Sequence, residues 1–221
     1  MLTLHHLNNS RSQRIVWLLE ELGLPYELKK YQRDARTLLA PAELRQVHPL
    51  GKSPVLTDGS HTLAESGAII GYVLDRYGAE RLRPPPGSEA RLRYDYWLHY
   101  AEGSAMPPLL LKLVFLRLPQ AAPALLRPLV RGIAAGAQKG FIDPQLQTHV
   151  AFWESELERT PWFAGADFSA ADIQMSFPLE AAAARAAVPL GARVRGFLSA
   201  IHARPAYQRA LTAAGGFDLP G

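Results

Sequence analysis

Leu2, Leu4 and His6 alternate with Thr3 and His5, a period of two that predicts a short opening strand, and polar Asn8, Asn9 and Ser10 end it. From Ser12 the period becomes helical, with Ile15, Leu18, Leu19 and Leu22 on one face and Gly23 followed by Pro25 as the stop. Tyr26 and Leu28 among charged neighbours predict a second strand. The three elements fill the roughly 30 residues that a right-handed parallel crossover needs. Pro41 to Val47 has weak helical character and leads through a loop into a strand at Val55 and Leu56. Asp58-Gly59 marks a hairpin turn, and His61 to Ala64 form the returning strand. Ser66 then opens a helix carrying Ile69, Ile70, Val73 and Leu74 and running to about Tyr77. The predicted order is βαβαββα.

Gly78 and the run Pro84-Pro85-Pro86-Gly87 continue neither a helix nor a central strand, so a linker is expected there, between domains at 1–80 and 88–221. Past it the period of two disappears. Alanine- and leucine-rich helical segments are separated by Pro107-Pro108, Pro119, Pro123, Pro144, Pro161, Pro189 and Pro205, which predicts an all-helical second domain after the α/β first one. Within it, Phe168-Ser169-Ala170-Ala171-Asp172-Ile173 reads as a capping box, Ser169 with Asp172, and as a staple of Phe168 on Ile173. That signature is structural.

The 221 residues, 48% hydrophobic and 20% charged, suit a folded globular chain. Cysteine is absent, which excludes disulfides, cysteine zinc sites and a protein thiol nucleophile; any thiol chemistry must use a ligand's sulfur. The net charge of +4 is scattered, so no nucleic-acid partner is expected. Met1 to His6 lack the basic and apolar regions of an export signal, and no apolar run approaches the roughly 18 residues of a membrane span. A cytoplasmic protein without a membrane partner is the expectation. His5, His6, His48, His99, His149 and His202 show no metal-ligand spacing, and no metal is expected.

The βαβαββα order, the loop Leu50-Gly51-Lys52-Ser53-Pro54-Val55-Leu56, the Glu65-Ser66 pair opening a helix and the later capping box together resemble the soluble glutathione S-transferase family over essentially the whole chain. The stretches Ser10 to Glu21 and Tyr96 to Gly103 are most similar to a subgroup of bacteria and fungi. The resemblance implies a thioredoxin-like glutathione-binding domain, a helical domain contributing an electrophile pocket, glutathione as co-substrate, a small hydrophobic electrophile and a homodimer.

Residue by residue, the resemblance places the cysteinyl part of glutathione on the backbone of Ser53, beside Pro54. A cis Ser53-Pro54 bond would turn the Ser53 amide and carbonyl outward, where a peptide can pair with them as an added strand. Glu65 and Ser66 would grip the γ-glutamyl end, since the free amides of a helix start favour a carboxylate. Lys52 would complement a ligand carboxylate. For the sulfur, Asn9 falls where many family members carry a catalytic serine, and Ser10, one place along, offers a hydroxyl; Ser10 is the favoured donor, Asn9 the next, and Ser12 reads as a helix cap. Arg11 and Arg14 add positive potential, or Arg14 ties the domains together. Tyr96, Trp97, Tyr100, Met106 and Phe115 are the aromatic or polarizable candidates for the pocket. The expected activity is conjugation of glutathione to electrophilic carbon, with glutathione-dependent peroxide or disulfide reduction, or a non-catalytic glutathione-binding scaffold, as alternatives.

Overall fold

A computed structural model describes residues 1–34, 37, 39–78 and 80–219. Strand β1 (Leu2–Leu7) pairs in parallel with β2 (Tyr26–Tyr31), Leu4 opposite Leu28, and antiparallel with β3 (Val55–Asp58), Leu4 opposite Leu56. β3 returns through the Asp58-Gly59 turn into β4 (His61–Ala64), giving the sheet order β2-β1-β3-β4. With α1 (Ser12–Leu22), the short α2 (Leu44–Val47) and α3 (Ser66–Tyr77), the chain follows the expected βαβαββα order.

Both faces of β1 are covered, for all six of its residues are buried, His5 and His6 included. The same holds for α1. Its spacing marks one apolar face, yet Ser12, Gln13, Arg14, Val16 and Trp17 are buried too, because α8 (Ala170–Arg185) and α10 (Pro205–Ala214) close over the side turned away from the sheet. Gly23 ends α1 at φ 67°, a left-handed conformation that glycine adopts without a side-chain clash.

From Glu89 onward the regular structure is helical: α4 (Glu89–Tyr100), α5 (Met106–Ala121), α6 (Arg127–Ala137), α7 (Asp143–Arg159), α8, α9 (Ala192–His202) and α10. Ser88 caps α4 by accepting from the Arg91 amide at 3.1 Å. Single π-turns at Ala101–Ala105 and Gln138–Ile142 join α4 to α5 and α6 to α7, so each pair forms one long helix with a local bulge.

The capping box forms as expected at the start of α8. Asp172, wholly buried, accepts from the Ser169 and Phe163 amides at 2.8 Å each, and burial pushes its carboxyl up to about 6 against those donors. Phe168 packs on Trp17 and Trp162, with the Arg204 guanidinium 3.7 Å above its ring. One apolar core runs through both halves, from Leu4 and Ile15 to Ile173 and Leu179.

Candidate functional site

The turn between β1 and α1 carries the two candidate donors, and the fold treats them differently. Ser10 is 4% exposed; its Oγ lies 2.8 Å from Ser12 Oγ and accepts from the Ser12 amide at 3.3 Å. Ser12 continues inward to His6 Nδ1 at 2.8 Å and to the Leu7 carbonyl at 3.3 Å. His6 is held neutral, its pKa lowered to about 4 by burial and then by the charge of Lys30. Ser10 therefore belongs to a buried polar chain that holds the first turn of α1. Asn9 is half-exposed at φ 50°, a left-handed conformation that asparagine tolerates better than most residues. Its Oδ1 accepts from the Asp218 amide at 2.9 Å, which fixes the amide's orientation and leaves Nδ2 with no partner among the described residues.

The loop before β3 is fastened to the same end of the sheet. Ser53 Oγ donates to the His5 carbonyl at 2.9 Å and accepts from the Leu7 amide at 3.1 Å. The Ser53-Pro54 bond is cis, as expected. Among the described residues the backbone N–H and C=O of Ser53 make no hydrogen bond of their own. Lys52 is exposed beside them.

Helix α3 starts without a side-chain cap, so its first amides are unsatisfied. Glu65, exposed, stands immediately before it at φ 68°. A non-glycine residue costs on the order of 1–3 kcal/mol in that region, and such positions cluster at ligand sites. Ser66 is buried, and its Oγ accepts from Arg14 Nη2 at 3.0 Å, which keeps its own proton available to an acceptor.

Arg14 joins the two halves of the molecule. Fully buried in α1, it donates to the Gln174 carbonyl of α8 at 2.7 Å, to Ser66, and to Glu102 in the π-turn between α4 and α5. Arg11 closes on the same carboxylate with Nε at 2.9 and 3.0 Å from its two oxygens. Burial alone would raise the Glu102 carboxyl, but the two guanidiniums outweigh it and hold the pKa low; burial lowers Arg14, with Glu102 opposing. Glu102 did not stand out in the sequence, although it is a lone acid a few residues before the largely apolar stretch from Ala105 to Leu111.

The pocket candidates separate. Trp97 is 1% exposed and packed among Phe152, Phe163 and Tyr100, so it has no surface to offer a substrate and belongs to the core. Tyr100 and Met106 are nearly as buried, and Tyr100 is bonded to His149 and Trp153. Tyr96 is exposed and Phe115 half-buried. A cavity of about 330 Å³ opens elsewhere, between α8, α9, α10 and the segment after α10, lined by Glu180, His202, Tyr207 and Phe217. Phe217 also packs on Phe177, and Asp218 reaches Asn9, so this terminal segment lies over the β1–α1 turn. No sequence signal marked it. Among the described residues no group of His, Asp and Glu could hold a metal ion, and no helix is long and apolar enough to cross a membrane.

Residues 1–75 match the family model described as the glutathione S-transferase N-terminal domain. The chain is similar to glutathione S-transferase 3 of Schizosaccharomyces pombe, 39% identical over 184 residues that span 82% of this chain and 74% of that relative. It is 33% identical to glutathione S-transferase 1 of Saccharomyces cerevisiae over 190 residues, 82% of this chain and 81% of the relative. Its fold resembles the crystal structure of a glutathione S-transferase from Actinobacillus pleuropneumoniae, with a TM-score of 0.78, 34% identity, and coverage of 98% of this chain and 94% of that one. A sphingomonad glutathione S-transferase complexed with glutathione matches at a TM-score of 0.73 and 27% identity, over 96% of this chain and 98% of that one.

Proposed function

The chain belongs to the glutathione S-transferase family, and from that premise we propose that it is an enzyme that binds glutathione, holds the sulfur as a thiolate at the β1–α1 turn and adds it to an electrophilic carbon. The observation that carries the reading is the backbone N–H and C=O of Ser53, unpaired among the described residues and fastened to the end of β1 just before Asn9. An extended peptide satisfies both groups as an added strand, with its cysteine at the turn.

The remaining groups follow the chemistry of the peptide. The open first turn of α3, with Ser66, receives the γ-glutamyl carboxylate, and Glu65 faces the α-ammonium. Lys52 lies by the loop for a second carboxylate. A free thiol has a pKa near 8.5, and lowering it by about two units takes roughly 2.7 kcal/mol. One hydrogen bond to a charged group contributes about 1.5–3 kcal/mol and the start of a helix about 0.3–1. Asn9 Nδ2, without a partner among the described residues, supplies that bond better than Ser10, whose hydroxyl is engaged inside. This reverses the order in which the sequence ranks the two.

We extend the proposal to a cytoplasmic homodimer. The cytosol is where glutathione is kept reduced. Leu92 and Tyr96, one helical turn apart and exposed on α4, offer an apolar face to a second copy. Capture on a glutathione resin followed by turnover of a chlorodinitrobenzene tests the enzyme reading. A protein that neither binds the resin nor consumes the halide refutes it, and sedimentation as a monomer at micromolar concentration refutes the dimer.

A further inference from the structure

The stretch from Gly103 to Ile142 holds no acidic residue, while Lys112, Arg117, Arg127, Arg131 and Lys139 give it five positive charges, more than the net +4 of the whole chain. The positive excess is therefore concentrated here rather than scattered. Helices α5 and α6 pack together as a hairpin, joined at its tip by the single 3₁₀ turn Ala124–Leu126. Every residue from Pro123 to Leu129 is exposed, Leu125 at 91% and Leu129 at 65%.

An exposed leucine is ordinary by itself, but nine of the fourteen large apolar side chains exposed among the described residues fall between Leu110 and Phe141. Leu129 and Ile133, four residues apart, share one flank of α6, and Leu126 at its N-cap continues that flank. Arg127 and Arg131, also four apart, share another, and with Pro119 and Gln120 they line a cavity of about 190 Å³ at the tip. Arg127 Nε donates to the Ala122 carbonyl at 3.1 Å. Among the described residues neither arginine forms an ion pair.

Charge decides what such a tip meets. A two-fold contact between copies sets a patch against itself, and this patch offers its own copy only basic residues and no carboxylate. An anionic lipid surface supplies both missing partners, an acyl layer for the leucines and phosphate oxygens for the guanidiniums. No described helix is long and apolar enough to cross a membrane, so the contact is with its surface.

We infer that the tip of the α5–α6 hairpin docks on a membrane surface of anionic lipid, with Leu125, Leu126 and Leu129 entering the acyl boundary while Arg127 and Arg131 hold headgroup phosphates. The expectation of no membrane partner rests on the lack of a spanning run and of an export signal, and a surface contact needs neither. The inference is independent of the transferase reading, whose groups lie at the β1–α1 turn, the Ser53 loop and the start of α3.

Vesicle flotation tests it. The full chain should float with phosphatidylcholine vesicles containing about one third phosphatidylglycerol and stay behind with phosphatidylcholine alone. Arg127→Gln combined with Arg131→Gln should weaken partition roughly thirtyfold. Leu125→Ser combined with Leu126→Ser should weaken it by at least about tenfold. Both variants should melt as the wild type does, since all four side chains are exposed. No flotation of the wild type, equal flotation on both vesicles, or flotation untouched by either variant overturns the inference. So does a smaller sedimentation coefficient for the leucine variant without lipid, which would make the tip a contact between copies. Inorganic phosphate that releases the wild type at constant ionic strength, while the leucine variant floats normally, would assign the arginines to a free anion and equally overturns it.

Discussion

Replacing Asn9 by glycine removes the proposed thiolate donor while respecting the backbone. Asn9 sits at φ 50°, where alanine would add a strain of on the order of 1–2 kcal/mol unrelated to chemistry, and glycine would not. The lost hydrogen bond to a charged sulfur amounts to about 1.5–3 kcal/mol, and one pKa unit corresponds to 1.36 kcal/mol, so the pKa of bound glutathione should rise by about one to two units. Thiolate absorbance in the ultraviolet, titrated on the glutathione complex, measures this directly. Affinity for glutathione should change little, because Ser53, Glu65 and Ser66 are untouched. Ser10→Ala is the control: its hydroxyl is engaged by Ser12, so the thiol pKa should move by less than half as much. An unshifted pKa in Asn9→Gly, together with a full shift in Ser10→Ala, would refute the reasoning and return the role to Ser10.

Glu102→Gln should uncouple the two halves of the molecule, leaving buried Arg14 without its counter-charge; a loss of about 1–3 kcal/mol in urea unfolding and a raised KM for glutathione through Ser66 are expected, and unchanged values of both would contradict the link. Asp172→Ala strands the Phe163 and Ser169 amides and should cost about 2–4 kcal/mol, with activity per folded molecule retained; a melting temperature within a degree of wild type would show that the capping box is dispensable. His6 has a folded pKa of about 4 against 6.5 when unfolded. The unfolded chain therefore takes up the proton first, and stability should fall by about 3 kcal/mol as pH drops from near 6.5 to 4. In His6→Asn that part of the pH dependence should vanish, and an identical slope in the variant would place the cause elsewhere.

Much of the proposed glutathione side was legible because it is local. The hairpin turn, the Ser53-Pro54 loop, the Glu65-Ser66 helix start and the Ser169 capping box are each set by neighbours within a few residues, and each forms where the sequence puts it. The proposed electrophile side was not legible in this way. Trp97 and Tyr96 are adjacent and chemically alike, yet one is core and the other exposed, which depends on what packs against α4. The preference for Ser10 over Asn9 rested on the chemistry of the donor groups, whereas the fold turns one hydroxyl inward to Ser12 and fixes the neighbouring amide through Asp218, more than two hundred residues away in sequence.

By itself, then, the sequence determined the element order, the absence of any protein thiol and the loops at Ser53-Pro54 and Glu65-Ser66, because periodicity and turn chemistry act over short distances. Only the tertiary structure decided that Arg14 joins Ser66 to Glu102, and that Asn9 Nδ2 has no partner among the described residues while the Ser10 hydroxyl is engaged with Ser12. Those outcomes depend on which buried charges and hydrogen-bonding groups find partners once distant segments pack together, and spacing along the chain does not specify that.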